Sequence, residues 1–148
     1  MLEQSLSTLA IRTPGRGLVE ITRAVRACVE KSRIGEGLLT LFLRHTSASL
    51  LIQENADPDV RDDLERFFAR LVSDGDRLFV HRSEGPDDMP AHVRSALTAT
   101  QLSIPIMEGG LALGTWQGIY VWEHRLRGHE RELVVHVSGS RVAAAGQA

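Results

Sequence analysis

Residues 111–125, LALGTWQGIYVWEHR, alternate with period two, and that alternation commits the chain to a sheet. One face presents Gln117, Ile119, Val121 and Glu123; the other presents Trp116, Tyr120, Trp122 and His124, with Gly118 among them. An apolar face therefore carries an amide near one end and a carboxylate at the other, and buried polar groups of that kind need partners. The three aromatics opposite cannot all be left in water without an aggregation liability.

The rest of the chain surrounds this strand with a mixed set of elements. Residues 3–12 alternate and predict a first strand, closed by TPGRG; apolar spacing from about Glu20 to Arg33 is helical. GLLTLFLRH is a strand with Leu39, Leu41 and Leu43 on one face and His45 at its end, and SASLLIQE continues as another. In DPDVRDDLERFFARLVS, Val60, Leu64, Phe67, Phe68 and Leu71 form one helical stripe, with Asp57 as N-cap and Pro58 in the first position. RLFVH reads as a short strand and SEGPDDMP as a loop; a third helix starts near Asp88, which serves as its N-cap, and covers His92. LSIPIM, residues 111–124 and ERELVVHVSG follow as strands, the last two joined by a short polar link of hairpin length. Three helices among seven or so strands, without strict alternation, define an α+β mixed strand/helix sandwich. It forms a single domain over residues 1–140, and the weakly patterned tail, 141–148, is expected to fray.

Composition narrows the function. A chain of 148 residues with 43% hydrophobic and 24% charged residues is an ordinary globular one. A net charge of −2 supplies no basic field for nucleic acid. The lone Cys28 excludes a disulfide framework or a cysteine-built zinc site within one chain, and its helical phase makes it a buried residue. No stretch has the apolar length of a membrane span, and the N-terminus lacks signal-peptide character, so a cytoplasmic setting is expected.

The candidate chemistry lies in histidines and carboxylates. A lone histidine such as His45, at the end of an inward strand face, is most often a satisfied core residue; the hydroxyls of the following TSAS can also orient it or bind an anion. His81 ends RLFVH, and His92 lies near a helix start, where anions are favoured. His45, His81 and His92 could converge as a metal site with an open position. Of the pair Asp62 and Asp63, the helical wheel places Asp63 on the apolar side, where a carboxylate needs a partner or a cation. Asn55 can serve the same pocket or shape the turn. Phosphate-loop, dinucleotide, nucleophile-elbow and C-x-x-C motifs are absent.

Three blocks, RHTSASLLIQENADPDVRDDLERF, HRSEGPDDMPAH and LGTWQGIYVWEHR, in that order, resemble the YjbQ family, whose members are described as secondary thiamine-phosphate synthases. The resemblance implies a homotrimer with a polar pocket near the subunit boundaries, and Trp116, Tyr120 and Trp122 against a neighbouring copy. It implies a transferase joining an aminopyrimidine pyrophosphate to a thiazole phosphate, with a divalent ion, zinc or magnesium, as cofactor. Matched residue by residue, the pocket falls on His45, Thr46, Ser47, Asn55, Asp63, His81, His92, Gln117 and Glu123; among these we expect catalytic roles for His45, Asp63, His92 and Glu123, substrate binding by Thr46, Ser47, Asn55 and Gln117, and metal ligation by His45, His81 and His92. The alternatives are a metal- or ligand-binding trimer without this turnover, or a metal-assisted hydrolase of a phosphorylated metabolite. Neither nucleic acid nor membrane is an expected partner.

Overall fold

The computed structural model describes residues 1–141, so the expected frayed tail, apart from Arg141 in the last strand, lies outside the described residues. Eight strands and three helices follow in the order β1 (Leu2–Arg12), β2 (Gly15–Glu20), α1 (Thr22–Ser32), β3 (Ile34–Leu43), β4 (Ala48–Glu54), α2 (Pro58–Leu71), α3 (Asp88–Leu97), β5 (Gln101–Met107), β6 (Gly110–Leu111), β7 (Gln117–Arg127) and β8 (Glu130–Arg141). They form a five-stranded sheet, β1-β8-β3-β5-β6, and a three-stranded sheet, β2-β7-β4, both antiparallel. The α+β reading holds.

The core lies between the two sheets. Leu39, Leu41 and Leu43 of β3 and Leu133, Val135 and Val137 of β8 face Leu50, Ile119 and Val121 of the smaller sheet. Helix α1 and the residue before it contribute Ile21, Val25 and Val29, spaced by four, to the same core. Cys28, expected to be buried, is half-buried at its margin. Helices α2 and α3 lie on the other face of the small sheet. There Phe68 meets Trp122 edge-on, with ring centroids 4.7 Å apart, and Trp122 Nε1 donates to Glu65 Oε2 at 2.8 Å. Tyr120 and Trp122 are thus covered within the chain, against the expectation that they meet a neighbour; only Trp116 of the three is exposed. Among the described residues no helix lies over the large sheet's outer face, which exposes Leu6, Leu38 and Phe42.

Several local expectations need correction. RLFVH forms no strand, because it has no pairing partner and leaves Leu78 and Val80 exposed. Gly15–Glu20, expected as a turn and helix entry, pairs with β7 as a strand. The segment 111–124 is interrupted by a turn, stabilised by Gly114 N–H donating to Gln117 Oε1 at 2.7 Å, and β7 starts only at Gln117. Asp87, not Asp88, precedes α3 as its cap residue. β7 and β8 are not a hairpin, because they belong to different sheets and Gly128 and His129 turn the corner between them. A side chain at Gly128 would strike the Thr13 carbonyl, since a Cβ there would lie 2.2 Å from the oxygen.

Behind the small sheet, two helices are anchored through one buried imidazole. His124 is wholly buried: its Nδ1 accepts from Arg94 Nε at 3.1 Å, so its Nε2–H faces Ser49 Oγ at 2.8 Å. Arg94, on α3, also pairs with Glu65 of α2 and lies over the Phe68 and Trp122 rings. Burial, reinforced by the Arg94, Arg16 and Arg131 charges, depresses the His124 pKa to about 2. An unfolded histidine takes up its proton near pH 6.5, so the unfolded state binds more protons everywhere between those two values. Folding stability is therefore full above about pH 6.5 and is lost as pH falls below it, by about 2 kcal/mol at pH 5 from this group. Urea denaturation from pH 7 to 5 should show that loss, and His124→Gln should flatten the profile; an unchanged slope in the variant would refute the assignment.

Candidate metal centre

The start of α3 and the loop before it bring three ligating groups together. His81, Asp88 and His92 each offer a nitrogen or oxygen, and these atoms lie within 4.8 Å of one another. Asp88 and His92 are one helical turn apart, so they share a face of α3. His81 reaches them from the loop that local pattern reads as a strand. Its Nε2 lies 2.9 Å from Asp88 Oδ2, and His92 Nε2 lies 3.1 Å from the same oxygen. Asp88 is itself buried, while His81 is exposed and His92 half-exposed, so the group opens outward. A hollow of about 290 Å³ adjoins it, lined by His81, Phe79, Pro86, Met89 and Pro90.

Neighbouring groups fix each member. His92 Nδ1 lies 2.8 Å from the Thr46 carbonyl, which can only accept, so Nδ1 carries the proton. A neutral His92 then aims the lone pair of Nε2 at the Asp88 carboxylate. That contact requires a cation or a second ring proton between the two atoms. Arg125 Nη1 holds the other Asp88 oxygen at 2.9 Å, and its Nε holds Asp87 Oδ2 at 2.9 Å. Burial acts to raise the Asp88 pKa, but the His81 hydrogen bond and the charges of His92 and Arg125 outweigh it and hold the carboxyl below its ordinary value. Asp87 behaves likewise: burial is outweighed by Arg125 and the Leu126 N–H.

The remaining expected site residues lie elsewhere. His45 does not join the metal group; its Nε2 accepts from the Glu132 N–H at 2.7 Å. Thr46 contributes its carbonyl to His92, and Ser47 accepts from Arg131 Nη2 at 3.0 Å through its hydroxyl. Glu123 is fully buried, with Oε1 accepting from Thr13 Oγ1 at 2.6 Å and from Arg131 Nε at 2.9 Å, and Oε2 pairing with Arg131 Nη2. Burial would raise its pKa, but Arg131 and Thr13 hold it below the ordinary value, so it is a locked carboxylate rather than a free base. Asp63 is exposed and pairs only with Arg66 at 2.6 Å; the helix turns Glu65 toward the sheet instead. Gln117 is spent on the Gly114 turn, and Asn55 donates to Glu20 at 3.3 Å. Both lie at the opposite end of β7 from Glu123, six residues or about 20 Å away. The residues that sequence reading missed are Asp88 as a ligand, Arg125 and Arg131. Arg131 had a visible signal: it shares its strand face with Leu133, Val135 and Val137.

Fold and site together define an α+β sandwich protein with a candidate metal-ligating group of two histidines and an aspartate. Residues 7–140 match the family model described as UPF0047 protein YjbQ-like. A UPF0047 protein of Synechocystis is 56% identical over 136 residues, covering 92% of each chain. The UPF0047 protein YjbQ of Escherichia coli O157:H7 is 42% identical over 133 residues, covering 89% of this chain and 96% of its own. A solved structure of a conserved hypothetical protein from Thermus thermophilus superposes with a TM-score of 0.77 at 36% identity, covering 86% of this chain and 97% of that one. A YbjQ-like protein of unknown function from Sulfolobus solfataricus P2 shares the fold at a TM-score of 0.81, with 24% identity and coverage of 93% and 100%. The chain belongs to the YjbQ-like UPF0047 family.

These relatives correct the activity expected from sequence. The family and its bacterial members carry no synthase description, and the Sulfolobus protein is described as of unknown function. The geometry gives the synthase assignment no help either, with Asp63 in solvent and Glu123 locked. The thiamine-phosphate synthase reading is set aside.

Two substitutions distinguish these placements. Asp63→Asn should change stability by less than about 0.5 kcal/mol, as an exposed ion pair should. Glu123→Gln leaves Arg131 buried and without its counter-ion, and should cost roughly 3–5 kcal/mol. Urea denaturation of both variants checks this; equal effects would contradict the placement of either carboxylate.

Proposed function

We propose that the chain is a metal-binding protein whose divalent ion is held by His81, Asp88 and His92. The observation that carries this reading is the convergence of the His81 and His92 Nε2 atoms on one oxygen of the buried Asp88 carboxylate, at 2.9 and 3.1 Å. The donor set fits: imidazole nitrogens and a carboxylate are ordinary zinc ligands, and three protein ligands leave a position open. The separations of 2.9 and 3.1 Å are near the roughly 3.4 Å between ligand atoms of a tetrahedral ion with arms of about 2.1 Å. Thr46 and Arg125 act as outer partners, the first orienting the His92 ring and the second leaving one Asp88 oxygen for the ion. When bound, the ion supplies a Lewis-acid position for a water or ligand oxygen. The hollow beside His81 gives a small ligand access to it.

For assembly we propose a homotrimer, now through the face of the large sheet that no described helix covers. That face carries the exposed Leu6, Leu38 and Phe42, while Tyr120 and Trp122 of the small sheet are already covered within the chain.

Native mass spectrometry of the purified full chain, stripped with chelator and reloaded with zinc, reads both proposals. The expected species is three chains with one ion per chain. Asp88→Asn should lose the ions and keep the assembly, whereas Phe42→Glu should lose the assembly and keep the ion. Failure to load zinc at micromolar concentration would overturn the metal reading, and a monomer would overturn the assembly.

A further inference from the structure

The hollow beside the metal group is walled by a loop whose own apolar side chains do not fill it. Residues 75–86 close on themselves where the Gly75 N–H donates to the Pro86 carbonyl at 2.9 Å. Compact surface loops of this length ordinarily pack their own side chains inside, yet Leu78 and Val80 are 78% and 93% exposed. The interior is a space of about 290 Å³, walled by Phe79 and Pro86 from the loop and by Met89 and Pro90 from the first turn of α3. His81 belongs to the same lining, so the hollow and the candidate ion share one side chain as a wall. The polar rim is sparse. Asp76 accepts from the Leu78 N–H at 2.9 Å, and Arg82 Nε and Nη2 hold the Phe79 and Arg77 carbonyls.

We propose that this hollow seats one aromatic ring of a small acid whose carboxylate binds the ion held by His81, Asp88 and His92, an inference that rests on the metal reading above. Size sets how much fits: a cavity of about 150 Å³ takes a benzene, so the hollow has room for a single substituted ring. The walls set the kind of ligand. A sugar needs several directed polar groups, which these walls lack, whereas the Phe79 ring and the Met89 thioether favour an aromatic partner. Charge sets the other end. A divalent ion held by two neutral imidazoles and one carboxylate keeps a net positive charge, to which Arg125 on Asp88 and Arg82 at the rim add. An anionic oxygen therefore suits the position that three protein ligands leave open. Asp76 is the one acidic side chain in the lining, and it is exposed and already capping the loop.

The test is a titration of isotope-labelled full-length protein with sodium benzoate and with sodium acetate, in zinc-loaded and chelator-stripped samples whose ion content is read by native mass spectrometry. The Met89 methyl and the backbone amides of residues 75–86 are followed by NMR. The zinc-loaded protein should bind benzoate at least about tenfold more tightly than acetate, because only benzoate buries a ring. The stripped protein should bind both far more weakly. Phe79→Ala and Met89→Gln each change one wall and leave the metal ligands in place. Both should keep the ion and the acetate affinity and lose most of the preference for benzoate. Zinc uptake without that preference would overturn the ring site and leave the metal reading standing. A preference unchanged in both variants, or equal binding of benzoate by the stripped protein, would also overturn it. Failure to take up zinc would overturn the metal reading and this inference with it.

Discussion

The ion pair between Glu123 and Arg131 ties one end of the sandwich together. Glu123 is on β7 in the small sheet and Arg131 on β8 in the large one, so the pair spans the two layers. Three chain crossings between the sheets meet there: β1 to β2 through Thr13, β3 to β4 through residues 44–47, and β7 to β8 through Gly128 and His129. Thr13 donates to Glu123 and is hydrogen-bonded to the His129 backbone in both directions, while Arg131 reaches His45 and both the hydroxyl and the carbonyl of Ser47. A buried ion pair by itself is a weak source of stability, since desolvation cancels much of the attraction. Its contribution here is geometric, because its polar atoms fix the paths of different connections.

The candidate metal group inherits that order. The 44–47 loop, held by Arg131, presents the Thr46 carbonyl that sets the His92 tautomer. Arg125 lies two residues beyond Glu123 on β7; its N–H donates to Glu123 and its guanidinium grips Asp87 and Asp88. On the far side of the small sheet, Arg94 anchors α3 to His124 and to α2. Helix α3 is therefore held at its start and along its length, and its first turn brings Asp88 and His92 to the loop residue His81.

The architecture is largely legible in the sequence because period-two and helical spacing reflect burial directly. The alternation of Leu39, Leu41 and Leu43 and the Asp57–Pro58 start of α2 need no tertiary information. RLFVH misleads because a strand requires a partner, which local pattern does not supply. The aromatic face of β7 does lie opposite the core, but what covers it is α2, a long-range fact. The helical wheel misplaces Asp63: Glu65 is the residue turned toward Trp122. Asp88 reads as a cap because its i, i+4 relation to His92 gains meaning only when a loop histidine arrives beside it. Glu123 is marked by its strand position as a costly buried carboxylate; its partner Arg131 lies on the core-facing register of β8, a signal that is visible but easily passed over.

The central claim is that two imidazoles and the Asp88 carboxylate hold one cation. Anomalous diffraction from crystals of the zinc-loaded protein, measured on both sides of the zinc absorption edge, locates that cation without reference to activity. The account predicts one peak per chain within about 2.2 Å of the Nε2 atoms of His81 and His92 and of an Asp88 oxygen. A peak at His45, at Glu123 or elsewhere, or none at the α3 start, would contradict it.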